Sequence, residues 1–175
     1  MRYGTRTELK RRWTSKGHRP RCPMKIGYQF GYLYCLLCPF TGDLFCLLLP
    51  SMQKACFERF LQEFAKYLGK EPATTLVIID GAGSHQANVL SSNSPLRLEK
   101  LPPCSPELNP AERFFQELRK ELANQIFETV EEIEAKLEEI LQRYWKARVS
   151  GILCKLVQFR QVDSVLKQNG KLIHR

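Results

Sequence analysis

The sequence predicts an α/β domain, and three observations carry that reading. Strand and helix signals follow the order strand, strand, helix, strand, short strand, helix, helix. The β-branched run Leu76-Val77-Ile78-Ile79 ends in Asp80 and a glycine-rich turn, as a buried strand entering a tight loop does. Capping residues at Asn109 and Thr129 mark two helix starts.

The first two strands lie in the aromatic and aliphatic run from Ile26 to Cys38 and in Leu44 to Leu49. Pro39-Phe40-Thr41-Gly42-Asp43 between them reads as a turn, so the pair is expected to form an antiparallel hairpin. A helix follows, from about Gln53 to Leu68, with Phe57, Phe60, Leu61, Phe64 and Leu68 on one apolar face. Leu96-Arg97-Leu98 reads as a short strand. The prolines of Leu101-Pro102-Pro103-Cys104-Ser105-Pro106 exclude helix and central strand, which leaves an extended loop. Asn109 then caps a helix with Pro110 first and Phe115, Leu118 and Leu122 as its stripe. The next helix starts at Thr129, where Glu132 completes a capping box, and buries Val130, Ile133, Leu137, Ile140, Leu141 and Tyr144. Val149 to Val157 fits strand or helix equally, and residues 167–175 are expected to fray.

The chain has 175 residues, enough for one domain that buries roughly 70% of its unfolded surface without disulfide staples. Its 43% hydrophobic and 26% charged composition excludes wholesale disorder. No apolar run approaches the ~20 residues of a membrane helix, and the basic N-terminus lacks the apolar stretch of a signal peptide. Seven cysteines, an odd number without the spacing of a secreted framework, point to cytoplasmic thiols. Cys35 and Cys38 form a lone C-x-x-C inside a strand run, where residues three apart face opposite ways. They are therefore expected as buried thiols and not as half of a zinc site.

Charge divides the chain. Residues 1–25 hold nine basic groups and one acid, Glu8, so this segment carries +8 of the total +9. The expected organisation is a basic segment at 1–25, a domain at 26–150 and an extension at 151–175. A near-neutral body with a basic arm suits a polyanionic partner, most simply nucleic acid, against a plain solvated charge run.

Two carboxylates stand where chemistry could happen. Asp80 closes a hydrophobic strand, and ligands of α/β sheets bind outside such ends. An ordinary Asp-Gly turn accounts for it equally well. Glu112, third in its helix, is placed to close a capping box with Asn109, and local grounds favour that over catalysis. Glu107 reads as solvated.

The twelve positions from Leu101 to Glu112 closely resemble the L-P-P-Y-S-P-D-L-N-P-x-E segment of the mariner superfamily of DDE transposases, in its bacterial insertion-sequence branch. Leu76 to Asp80 with His85 is similar to that family's D-N-x-x-x-H segment, and 31 residues separate Asp80 from Glu112, near the family's usual gap. Arg2-Tyr3-Gly4, Trp13, Gly17 and Pro20 resemble its basic, Trp-containing stretch, so the similarity runs from about residue 1 to 145. Gly81, Cys104, Glu107 and Phe115 replace the family's Asn, Tyr, Asp and Trp.

The resemblance implies a ribonuclease H-like mixed sheet flanked by helices, and metal-dependent DNA cleavage and strand transfer. Asp80 and Glu112 would be the second and third acids, catalytic and metal-binding, with Mg²⁺ or Mn²⁺ as cofactor. Arg6, Lys10, Arg11, Arg12, Trp13, Lys16, Arg19 and His85 would contact DNA. A homodimer is the assembly it suggests. The family's first acid lies in an Asp-Glu pair ending the first strand, a position that here falls before Met1. Asp43, in the hairpin turn, and Asp163 do not replace it. The expectation is therefore a catalytic domain without its first strand, first acid and helix-turn-helix module, with impaired activity. The first acid would come from an upstream reading frame, or the chain is an inactive remnant that at most binds DNA.

Overall fold

The computed structural model describes residues 1–38, 44–69, 75–80, 96–103, 105–146 and 171–172. Its organising unit is the expected hairpin, β2 (Phe30–Leu37) and β3 (Leu44–Leu49). The two strands pair antiparallel from Tyr32↔Leu49 to Leu37↔Leu44. The turn at 39–43 lies outside the described residues.

All six residues of β3 are buried, because both faces of the hairpin are covered. Leu44, Cys46 and Leu48 face one core with Leu33 and Tyr3; Phe45, Leu47 and Leu49 face a second core with Tyr34. Alternation along the strand thus divides one apolar run between two layers.

The first core is closed by α2 (Pro110–Leu122) and α3 (Val130–Lys146), through Phe114, Phe115, Leu118, Ile133, Leu137, Ile140 and Leu141. The second is closed by α1 (Lys54–Leu68) and by the parallel pair β4 (Thr75–Ile79) and β5 (Leu96–Lys100). Here the Phe45 ring lies 5.5, 5.3 and 5.3 Å from those of Phe60, Phe64 and Tyr67. The apolar face expected for α1 is the one buried, with Phe57, Phe60 and Leu61 innermost.

Strand β1 (Arg2–Gly4) pairs antiparallel with β2 and forms one edge of that sheet. The charge pattern places Arg2 to Gly4 in the basic segment and not in a strand. Tyr3 explains the difference: it is 4% exposed and donates its hydroxyl to Glu134 Oε1 at 2.9 Å. A Cβ at Gly31 would fall 2.4 Å from the Tyr3 hydroxyl, so glycine opposite the tyrosine lets the strands close. Three residues are too few to display a period-2 pattern.

The expected single mixed sheet is two sheets among the described residues. One is antiparallel, in the order β1-β2-β3-β6; the other is the parallel pair β4-β5. Strand β6 (Lys171–Leu172) pairs with β3 at Leu47↔Leu172 and Leu48↔Lys171. This corrects the expected fraying at those two residues. The ambiguous stretch at 149–157 lies outside the described residues.

Candidate active site and basic arm

Asp80 follows the last residue of β4 and is partly exposed. The Leu101 N–H donates to the Ile79 carbonyl at 2.8 Å, which brings the start of the proline loop beside Asp80. Val77 and Ile79 anchor this strand end in the second core, while Leu76 and Ile78 face outward, 55% and 58% exposed. The loop makes one short 3₁₀ turn at Pro106–Leu108 and delivers the chain to α2. His85 and Gly81 lie outside the described residues, as does Cys104.

Asn109 is the N-cap of α2, as expected, and its side-chain oxygen accepts the Ala111 N–H at 3.1 Å. Glu112 does not close the expected capping box. Its backbone N–H donates to the Asn109 carbonyl at 3.1 Å, but its carboxylate makes no hydrogen bond or ion pair among the described residues. Asn109 caps the helix through its own side chain, and Pro110 at the first position has no N–H to be satisfied. A half-buried carboxylate in the first turn, favoured there by the helix dipole, is left available.

Glu112 lies within electrostatic reach of the start of β1. The Met1 amino group, which donates to the Leu33 carbonyl at 2.6 Å, has its pKa lowered mainly by burial and then influenced by Cys35, Arg119, Glu112 and Cys46. Glu63, another buried carboxylate, is held by Arg59 at 3.1 Å and Lys66 at 2.8 Å and serves as an ion-pair centre on α1.

At α3 the capping box forms with a shift. The Thr129 hydroxyl accepts the Glu132 N–H at 3.3 Å, and the Glu132 carboxylate reaches back to the Glu128 N–H at 2.7 Å.

The basic arm is fastened to the turn between α2 and α3. Asn124 accepts the Lys10 N–H on its side-chain oxygen at 3.0 Å and donates its own N–H to the Glu8 carbonyl at 2.8 Å. Arg12 Nη2 donates to the Asn124 carbonyl at 3.3 Å, and Lys25 pairs with Glu128. Arg6, Lys10, Arg11, Arg12, Lys16 and Arg19 are exposed, and Trp13 is fully so. Arg2 lies over the Phe30 ring, 4.5 Å from its centroid. A pocket between the arm and α2 is lined by Arg2, Arg6 and Arg119, with Glu8 its acid. Arg119 carried no sequence signal, because it lies on a helix far from the charge run.

Among the described residues no group of three His, Cys, Asp or Glu side chains could hold a metal. Asp80 and Glu112 fit a hard divalent cation in donor type, as carboxylates, but not in number. No described helix is long and apolar enough to cross a membrane.

Among the described residues a mixed α/β arrangement of three helices and two sheets, with a carboxylate at a strand end and a docked basic arm, is consistent with a nuclease acting on DNA. The chain belongs to the DDE superfamily endonucleases, whose family pattern matches residues 1–134. It is also 30% identical over 129 residues to the uncharacterized protein y4pE/y4sA of Sinorhizobium fredii, a match covering 71% of this chain and 95% of that protein. No solved structure matches. Membership implies transposase-like DNA cleavage, DNA as substrate and divalent metal ions.

Proposed function

We propose that this chain is the ribonuclease H-like catalytic region of a mariner-superfamily transposase of the bacterial insertion-sequence branch, working on DNA in the cytoplasm. The observation that carries the reading is the Leu101 to Glu112 segment, which ends on a carboxylate that its own helix cap does not use. The family match over residues 1–134 supports it.

In this reading Asp80 and Glu112 would be two of the ligands of Mg²⁺ or Mn²⁺, and the ion would supply activation of a water or 3′-hydroxyl and stabilisation of the leaving oxygen. The chain's own contribution is to fix the two carboxylates on a strand end and a helix start, which are stiff elements. Arg6, Lys10, Arg11, Arg12, Lys16 and Arg19 hold the DNA backbone, Trp13 stacks on it, and Arg2 and Arg119 add to the same basic surface. His85 belongs to this set by its place in the family segment.

Two carboxylates leave the site incomplete, and the reading sets the third in an Asp-Glu pair upstream of Met1. Nicking of supercoiled plasmid in Mg²⁺ tests the proposal. The chain alone should nick little; a version extended upstream by Asp-Glu should nick, and lose it on Asp80→Ala. Robust nicking by the unextended chain, abolished by Asp80→Ala, contradicts the incomplete site. An inert extended version favours the second reading, a DNA-binding remnant.

A further inference from the structure

The hairpin sets Cys35 directly opposite Cys46, and their Sγ atoms stand 2.9 Å apart. Both are free thiols. Residues directly opposed in an antiparallel ladder have Cα atoms about 4.5 or 5.5 Å apart. Both values fall within the roughly 4.4–6.8 Å span of disulfides. The backbone therefore needs no rearrangement to join them. The DNA chemistry proposed above uses neither sulfur.

We propose that Cys35 and Cys46 are a redox pair that forms a reversible cross-strand disulfide, with hydrogen peroxide as the oxidant. Cys35 is partly exposed, whereas Cys46 is 1% exposed among Leu33, Leu44 and Leu48. Burial, followed by the facing Cys35, pushes the Cys46 thiol up. Cys35 is thus the sulfur that meets the oxidant. Its thiolate attacks a peroxide oxygen, the O–O bond breaks, and hydroxide leaves and takes up the thiol proton as water. Cys35 becomes a sulfenic acid. The Cys46 sulfur then attacks the Cys35 sulfur; the S–O bond breaks, and the hydroxyl leaves as water with the Cys46 proton. Two thiols are oxidised to one disulfide and one peroxide is reduced to two waters. An added dithiol reverses the link by exchange. The link forms beside the start of β1, since Cys35 and Cys46 share the first core with Met1 and Tyr3.

The test treats the full chain with hydrogen peroxide, alkylates the remaining thiols and digests with trypsin and an endoproteinase that cleaves before aspartate. Cleavage at Asp43 separates peptide 26–42, with Cys35 and Cys38, from peptide 43–54, with Cys46. The expected result is one disulfide-linked pair of these peptides, and two fewer free thiols, both reversed by dithiothreitol. Cys35→Ser should abolish the link and Cys38→Ser should keep it. A link that survives Cys35→Ser, or Cys35 recovered only as the alkylated or over-oxidised residue in the native chain, overturns the proposal.

Discussion

Lys10 donates its backbone N–H to the side-chain oxygen of Asn124 at 3.0 Å, tying the basic arm to the turn that joins α2 and α3. Asn124 does this with φ at 59°, the left-handed region that asparagine tolerates better than most residues. One side chain thus shapes a helical turn and fixes the course of the arm.

Asn124→Ala is therefore expected to destabilise the domain by about 1–3 kcal/mol, from the lost hydrogen bond and the strained φ together. Asn124→Gly keeps the backbone conformation and should cost less, about 1 kcal/mol. Denaturant midpoints check the order. Equal stability of both variants with the native chain would show that the arm is not held here.

Arg11 makes no hydrogen bond or ion pair among the described residues, whereas Arg12 also bonds the Asn124 carbonyl. Neutralising both should weaken DNA binding and make the slope of log K against log salt shallower by about 2. Arg11→Ala alone should take about half of that without altering stability. Binding titrations at several salt concentrations measure it, and an unchanged slope removes the arm from the DNA contact.

Gln53 is the N-cap of α1, but its side chain makes no capping bond, and the helix's first turn holds no acid. Gln53→Asp should supply both an acceptor and a favourable charge, raising stability by about 0.5–1 kcal/mol. An unchanged thermal midpoint would contradict this.

Alkaline pH should weaken the fold. Burial pushes Tyr34 up to about 12, and burial with the facing Glu134 carboxylate pushes Tyr3 higher still. Between the ordinary tyrosine value near 10 and these raised values, the unfolded chain releases protons that the folded one keeps. The contribution of these groups is complete below about pH 10 and is lost as pH rises toward 12 and beyond. Tyr3→Phe should flatten that fall in a pH series of unfolding curves. A slope equal to the native one would rule Tyr3 out.

Legibility in the sequence followed pattern length. The hairpin, α1, α2 and α3 were readable because each repeats its apolar spacing over several turns or alternations, and Asn109 and Thr129 announced their helices. β1 was hidden, since its signal is one tyrosine within a basic run, and β6 is two residues long. On α2 the spacing picks out Phe115, Leu118 and Leu122 but not Phe114, whose ring is also buried. At the site, spacing and motif singled out Asp80 and Glu112, but sequence logic gave Glu112 a capping role that the structure assigns to Asn109 alone. Docking of the arm onto Asn124 and Glu128 was illegible because those contacts join residues more than a hundred positions apart.

In the proposed function Asp80 and Glu112 share a divalent cation. Titrating the full chain with Mn²⁺, and following the free ion by paramagnetic resonance, tests it without depending on a third carboxylate. Specific binding should appear in the native chain and weaken by about tenfold or more, roughly 1.4 kcal/mol, in Asp80→Ala and in Glu112→Ala alike. Mn²⁺ affinity unchanged by either substitution would rule out a cation held between Asp80 and Glu112.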